Sequence, residues 1–326
     1  MKNHKRNKIK PIFLWTILIF LIFEFVCFCI YQNIYIPKSP GSNLKTIFLI
    51  KKGEGVKKIS TNLKRQNLIK SALFFQAYLF VKGKLSIIKA GKYELSPAMN
   101  IPEIAAILSL GQVLKEKITI IEGWNLYDIG NYLEKKKIVK SENFVKYAKE
   151  KNLEGYLFPD TYEISSEDGI KEITAKMKTN FENKLTSKLR KEIADQKKTI
   201  PEIITMASLI EKEVRTMKHK KIVSGILWKR LKYNMPLQVD ATINYITGKK
   251  TTKISKNETK IDSPYNTYKY LGLPPGPICN PGLESIIAAI YPEKTQYWYY
   301  LSAPDGTTYF SKTLKEHNIN KAKYLK

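Results

Sequence analysis

An apolar run near the amino terminus limits the possible structures of this chain more than any other feature. Residues 11–36 contain Glu24 as their only charged side chain, and a run of this length can cross a bilayer as one helix. The segment before it is basic, through Lys2, Lys5, Arg6, Lys8 and Lys10. Since basic residues stay on the cytoplasmic side, the pattern predicts a cytoplasmic tail, a single-pass anchor and an exported remainder.

A cleaved signal peptide is the competing interpretation of this run. The run is longer than the usual apolar region of a signal peptide and no small-x-small site ends it, which favours an uncleaved anchor. Glu24 is costly at membrane depth, so it is a candidate functional residue unless it reaches the interface or meets a helix partner. Cys27 and Cys29 lie within the run. Cys279 is then the only exported cysteine, and no disulfide can form within the exported part.

The chain is strongly basic, with a net charge of +27 from 56 basic and 29 acidic residues. The basic residues are dispersed, arginines are few, and the anchor places the bulk of the chain outside the cytoplasm. These features argue against nucleic acid as a partner. Anionic lipid or an acidic cell-wall polymer matches the charge better, and a lysine-rich composition without any partner is the alternative.

Hydrophobic periodicity beyond the linker at residues 37–42 predicts alternating strands and helices. A charged, helical stretch at residues 165–198 looks like an elongated arm or a cap, without a part in the chemistry. After residue 235 the chain becomes rich in Pro, Gly, Asn and Tyr, which is typical of shaped loops on a rigid frame. The earlier elements are predicted as strands at 46–50, 87–95 and 117–121, and helices at 56–66, 72–81 and 102–110.

An internal repeat links the first predicted module to the segment that starts at Glu122. Glu54 and Gly55 correspond to Glu122 and Gly123, and five later positions also match after a two-residue insertion. The shared unit is predicted as an amphipathic helix, a turn ending at a serine N-cap, and a second helix. The N-cap serines are Ser71 and Ser141. We interpret the repeat as duplication of a scaffold.

The segment at residues 201–214 predicts a helix that carries a glutamate beside its apolar face. Apolar residues recur there at helical spacing, and Thr199 with Pro201 supplies a cap and a first-turn proline. Glu211 falls on one edge of the apolar arc and Glu213 on the other. Partial burial would raise a carboxyl pKa, as a general acid requires. The helical wheel alone does not choose between the two glutamates, and a solvated surface helix is the plain alternative.

The residues and motifs of the sequence exclude most familiar kinds of catalytic site. The histidines are His4, His219 and His317, and without clustered His or Cys there is no convincing metal site. No nucleophile elbow, P-loop or dinucleotide fingerprint stands in a suitable context. What remains is carboxylates among aromatic and amide side chains, which suit the ring faces and hydroxyls of sugars.

Five ordered motifs occupy residues 154–162, 207–213, 237–242, 265–268 and 272–282. Together they resemble the endolytic murein transglycosylase family, also called YceG-like. The resemblance covers nearly the whole chain after the apolar run, and Ala241 departs from it where family members often have proline. It implies an α+β fold with four parts: a cytoplasmic tail at 1–10, a transmembrane helix at 11–36, a linker with a small LysM-like α+β module at 37–114, and a larger α+β catalytic domain at 115–326.

The resemblance also implies a reaction and its residues. Glu211, the first glutamate of the Glu-Lys-Glu motif, corresponds to the catalytic glutamate of the family, which separates it from Glu213. It would cleave the β-1,4 bond between N-acetylmuramic acid and N-acetylglucosamine and leave a 1,6-anhydro end, with no metal or cofactor. Glu213 is further expected to tune the pKa of Glu211 through like-charge repulsion. Substrate positioning is predicted for Glu213, Gln238, Asp240, Tyr265, Asn266, Tyr268 and Asn280.

The expected partners are peptidoglycan glycan strands, the membrane and penicillin-binding protein synthases, and not nucleic acid. The expected location is the bacterial inner (cytoplasmic) membrane, with the catalytic domain periplasmic. The main alternative is a membrane-anchored scaffold that binds peptidoglycan without cutting it. A muramidase is the nearer competitor, which would leave reducing ends instead of anhydro ends.

Overall fold

The structure is a computed structural model that describes residues 11–251 and 254–325. The predicted cytoplasmic tail, residues 1–10, lies outside the described residues. The chain divides into two compact units. The first runs to Glu116 and includes Ser165–Glu167, and the second comprises Lys117–Ile164 and the chain from Asp168 onward. The predicted α+β fold and the single apolar helix near the amino terminus are confirmed.

The apolar run forms helix α1, Pro11–Ile34. From Trp15 to Ile34 its mean hydropathy is 2.1, and large side chains such as Phe25 are mostly exposed. A helix of this length and composition could span a membrane, although a signal sequence would have the same character. At its carboxyl end Ile34 joins the hydrophobic core of the first unit, and Lys70 Nζ donates to the Gln32 carbonyl at 2.9 Å.

The first unit packs helices against a two-stranded antiparallel sheet. Strand alternation directs Phe48 and Tyr93 inward, where they meet Leu63 and Phe75 in one apolar cluster. The Asn100 side chain caps helix α4 (Ile101–Leu110), and Gly111 ends it in a left-handed conformation at φ 69°. The elements are β1 (Thr46–Ile50), α2 (Val56–Arg65), α3 (Ala72–Val81), β2 (Gly91–Leu95) and α4 (Ile101–Leu110).

The second unit is mainly helical, with two small sheets formed by β3 with β4 and by β5 with β6. Two apolar clusters fill it, one around Ile129 and Phe144 and the other around Ile204 and Leu209. Its elements are β3 (Lys115–Thr119), α5 (Leu126–Lys135), α6 (Ser141–Glu150), β4 (Thr161–Ser165), α7 (Ile170–Lys184), α8 (Ser187–Asp195), α9 (Ile200–Glu213), α10 (Met217–Lys232), α11 (Asp240–Thr247), α12 (Leu283–Ile290), β5 (Tyr299–Ser302), β6 (Thr308–Ser311) and α13 (Leu314–Tyr324).

The internal repeat is present as two helical pairs, α2 with α3 and α5 with α6. Ser71 is the N-cap of α3 as predicted, but Ser141 is already the first residue of α6 and Lys140 is its N-cap. The Ser141 hydroxyl instead donates to Asn131 Oδ1 at 2.8 Å, which ties the second helix of the pair back to the first. Local sequence could not reveal this contact with the preceding helix.

The charged stretch at residues 165–198 does not form an elongated arm. It folds into α7 and α8, whose apolar faces are buried in the two clusters of the second unit. Met177 joins one cluster, while Phe181 and Ile193 join the other. The abundant lysines and glutamates lie on the outer faces of these helices, so composition alone suggested an arm.

Candidate active site

Helix α9 is packed within the core, and this packing fixes the positions of the two glutamates at its carboxyl end. Its N-terminus is fixed by a capping box, in which Thr199 Oγ1 accepts from the Glu202 backbone and Glu202 accepts from the Thr199 backbone. Every residue from Ile203 to Ile210 is buried, and α8, α10, α11 and α12 all contact the helix. The solvated surface helix considered above is therefore wrong. Glu211 and Glu213 are placed by a rigid frame.

The Glu211 carboxylate is held at both oxygens. Its side chain is 9 % exposed. Oε2 accepts a 2.9 Å hydrogen bond from the backbone N–H of Gly282, the N-cap of α12, where the helix dipole favours negative charge. Oε1 lies 3.5 Å from Lys220 Nζ. One carboxylate is thus fixed between a backbone donor and a cation.

Lys220 is a buried cation shared by two acids. Its side chain is only 3 % exposed, and its Nζ lies 3.5 Å from Glu211 and 3.6 Å from Glu284. A buried ammonium group needs such partners, because leaving it unpaired is costly. Sequence reasoning missed Lys220, which is one of many lysines in a basic chain and is brought here by α10.

Glu122 is a second acid beside Glu211, and sequence reasoning did not select it. A Cβ built on Gly282 would lie 2.0 Å from Glu122 Oε1, so this carboxylate lies directly against the glycine that binds Glu211. Burial raises the pKa of Glu122, and repulsion from Glu211 raises it further, while Lys220 opposes the rise. The available signal was its place in the Glu-Gly pair of the repeat, which was interpreted as architecture.

Glu213 faces a different group of side chains. Burial raises its pKa to about 7, with a further rise caused by Asp240, while a hydrogen bond from Tyr300 and the charge of Arg230 act in the opposite direction. The Tyr268 hydroxyl donates to Asp240 Oδ1, which brings three of the predicted site residues together. The expected tuning of Glu211 by Glu213 stays a prediction.

Asn280 lies at the junction of three loops and is fully buried. Its Nδ2 donates to the Trp124 carbonyl at 2.9 Å, and its Oδ1 accepts from Leu157 N at 2.9 Å. Its own carbonyl accepts from Gly123 N. These bonds fix the loop that carries Glu122 against the loop that carries Gly282. Asn280 is therefore placed to hold the site in shape.

Glu154 is a buried acid in the same junction. Burial raises its pKa to about 8, although a hydrogen bond from Leu126 N and one from the Tyr245 hydroxyl partly offset the rise. Asn280 Nδ2 lies 3.4 Å from its Oε1. Tyr265 packs against Tyr245 with ring centroids 5.0 Å apart. This cluster supports the wall of the site beside Asn280.

The remaining predicted residues belong to the loop after α11 and the turn before it. The Asn266 side chain is buried and donates to the carbonyls of Thr259 and Ile261 at 3.1 and 2.7 Å. Gln238 is exposed, has a left-handed φ of 52°, and is held by a backbone bond to Thr267. Among the described residues, no group of three His, Cys, Asp or Glu side chains could hold a metal ion.

Comparison with known proteins identifies the family of the chain. The sequence model of the YceG-like family matches residues 48–323, a range that contains every residue of the candidate site. The chain belongs to the YceG-like family. The resemblance carried by the five motifs is thereby confirmed.

Relatives of this YceG-like chain carry an enzymatic name. It is 36 % identical over 315 residues to a protein of Bacillus subtilis named endolytic murein transglycosylase, with 89 % of this chain and 87 % of that protein covered. An endolytic murein transglycosylase of Streptococcus pneumoniae is 30 % identical over 319 residues, covering 85 % of this chain but 58 % of the pneumococcal protein. A crystal structure of a yceG-like protein from Listeria monocytogenes is 34 % identical, with a TM-score of 0.58, and covers 85 % of this chain and 99 % of that one.

Proposed function

We propose that this chain is an endolytic murein transglycosylase, a lyase that cleaves the β-1,4 bond between N-acetylmuramic acid and N-acetylglucosamine within glycan strands. The observation that carries the proposal is Glu211, a carboxyl group fixed at the end of a core helix by Gly282 N–H and Lys220. The names of the relatives support the reaction class. Internal cleavage of nascent strands would end their elongation.

The reaction needs one group that first gives and then takes a proton. Protonated Glu211 donates to the glycosidic oxygen while the bond from C1 breaks through an oxocarbenium-like state. The Glu211 carboxylate then takes the proton of the C6 hydroxyl, whose oxygen forms the new bond to C1. The leaving sugar keeps its hydroxyl, and the muramic acid end becomes the 1,6-anhydro form. No water is consumed.

The surroundings of Glu211 favour the charge that appears in the first step. When Glu211 gives up its proton, the N–H of Gly282 and the ammonium of Lys220 both stabilise the carboxylate that remains. Because α9 is packed on several sides, these donors do not have to reorganise during the reaction. The site is therefore pre-arranged for proton transfer.

The residues assigned to substrate positioning fall into two groups, one exposed at the rim of the site and one in the loops that support it. Gln238 and Asp240 are exposed and offer an amide and a carboxylate to sugar hydroxyls, with Tyr268 holding Asp240. The other assigned residues are partly or fully buried and act by shaping the walls that receive the glycan: Glu213, Tyr265, Asn266 and Asn280.

The wider setting is proposed on the same basis. Helix α1 would anchor the chain in the bacterial inner membrane with the amino terminus cytoplasmic and the catalytic domain periplasmic. Residues 37–114 would form a LysM-like module, supported by its βααβ element order. Penicillin-binding protein synthases are the proposed partners, because an enzyme that ends nascent strands must meet their producers at the membrane.

Product analysis of digested peptidoglycan tests the proposal. We expect 1,6-anhydro ends by mass spectrometry with the wild-type protein and at least ~10²-fold less with Glu211→Gln, because positioned acid–base catalysis is worth about that factor or more. Reducing ends would identify a muramidase instead. Uncut glycan that still binds the protein would identify a scaffold.

A further inference from the structure

The environment of Glu211 creates a requirement that Glu211 alone does not meet. Gly282 N–H and Lys220 Nζ both contact its carboxylate oxygens, whereas the proposed reaction begins with a protonated carboxyl group. Something in the site must keep a proton available. A second acid close to the first has this effect, because two carboxylates that share a site resist losing their last proton.

Glu122 occupies the required position. Its carboxylate lies against the Cα of Gly282, since a Cβ there would meet both of its oxygens within 2.7 Å, and the N–H of the same glycine binds Glu211. The two acids come from distant segments, the loop after β3 and the end of α9. Asn280 holds that loop in place through Gly123 and Trp124.

Glu54 corresponds to Glu122 in the internal repeat, but its carboxylate has different partners. Glu54 caps its own turn by accepting from Lys51 N at 3.0 Å and from Asn62 Nδ2 at 3.1 Å. Glu122 accepts no hydrogen bond from any residue in the described part of the chain, and the residue is exposed apart from the carboxylate side that lies against Gly282. The repeat therefore keeps a glutamate at both positions, but only the first copy uses it as a structural cap.

We propose that Glu122 and Glu211 form a carboxyl pair that holds one proton between them, so that the site retains a donor despite Lys220 and the N–H of Gly282. This rests on the proposed function. The proton goes to the glycosidic oxygen as the C1–O bond breaks, and the pair is then doubly ionised. The C6 hydroxyl returns a proton to the pair as its oxygen bonds to C1. Glu122 thus acts through Glu211 as a positioning residue.

Charged groups from three helices act on Glu122. Glu211 comes from α9, Lys220 from α10 and Glu284 from α12, and Lys212 Nζ reaches the Gly123 carbonyl at 3.2 Å. Lys220 favours ionisation of Glu122, whereas Glu211 and Glu284 oppose it. Replacing Glu122 by glutamine leaves Lys220 beside Glu211 but removes the adjoining acid, so the site can no longer share a proton between two carboxyl groups.

The first test is the pH–rate profile of anhydro-end formation by the full-length protein in detergent. With Glu122→Gln we expect the alkaline loss of activity to move to lower pH by about one unit or more. Glu122→Asp keeps the charge and should largely restore the wild-type profile. Glu54→Gln, the matched position of the repeat, should leave the profile unchanged. The proposed pair is overturned if the alkaline loss of activity in Glu122→Gln has its midpoint within about 0.2 pH unit of the wild-type midpoint, which is roughly the error of such a fit.

A second measurement does not depend on activity. Glutamate carboxyl carbons labelled with ¹³C can be titrated by NMR in the wild type and in Glu211→Gln. We expect the Glu122 midpoint to fall in the variant, because the neighbouring charge is gone. An unchanged midpoint overturns the pair. A wild-type protein that makes no anhydro ends overturns the proposed function instead, and the titration still decides the pairing.

Discussion

The backbone N–H of Gly282 donates to Oε2 of Glu211 across 71 positions of sequence. This contact joins the start of α12 to the end of α9, at a glycine where a Cβ would collide with Glu122. A carboxylate at this point is fixed in direction as well as position.

Replacing Gly282 by alanine should damage catalysis more than folding. The new Cβ would lie 2.0 Å from Glu122 Oε1, so the Glu122 side chain must move away. We expect kcat/KM for anhydro-end formation to fall ~10-fold or more, a loss of roughly 1.4 kcal/mol in transition-state stabilisation. Gly55→Ala is the control, since a Cβ there meets nothing within 4 Å. Equal activity of the two variants would contradict the prediction.

Replacing Lys220 by methionine should affect both catalysis and stability. The methionine keeps most of the volume but leaves Glu211 without the cation that stabilises its carboxylate. We expect kcat to fall ~10²-fold, and the free energy of unfolding to fall by about 1–3 kcal/mol. The control is Lys221→Met, which removes the positive charge of the next residue in the chain. Activity close to that of the control would show that Lys220 has no role in the reaction.

Asn280→Ala should act mainly through stability. The side chain is buried and bridges Trp124, Glu154 and Leu157, so its removal leaves several polar groups unpaired. We expect the free energy of unfolding to fall by about 2–4 kcal/mol in denaturant titrations. Gln238→Ala, at an exposed position, should change it by less than about 0.5 kcal/mol. A stable, inactive Asn280→Ala protein would instead indicate direct contact with the glycan.

Glu154 should make stability depend on pH in a defined direction. Burial raises its folded-state pKa to about 8 from an ordinary value of 4.5, so the folded state binds more protons than the unfolded state between these values. Stability contributed by this group is therefore present at low pH and lost as pH rises toward 8, with a slope of up to ~1.4 kcal/mol per pH unit. Denaturant titrations at several pH values should show this slope, and Glu154→Gln should reduce it. An identical slope in the variant would exclude Glu154 as its source.

Local sequence was sufficient to predict the secondary structure of helix α9. Thr199, Pro201 and Glu202 form a cap within one turn, and the apolar spacing that follows continues to the end of α9. Such signals need no knowledge of distant residues. The same holds for α4, where Asn100 and Gly111 mark both ends.

The composition of the site could be predicted only in part, because it depends on long-range contacts. Glu211 was selected as a candidate through its motif and Gly282 belongs to another motif, but Glu122 and Lys220 come from two other segments and look ordinary in their own surroundings. Asn280 stood in a motif, yet its role became visible only through its bonds to Trp124 and Leu157. Periodicity can locate a helix face, but it cannot tell which loop will cover it.

The burial of α9 from Ile203 to Ile210 also determines how a polymer can be cut. The backbone at the end of such a helix cannot move toward a target without disturbing the whole core. An internal linkage of the glycan must therefore be brought to Glu211. The loops around Glu211 then select which linkage binds, while helix α9 only positions the group that cleaves it.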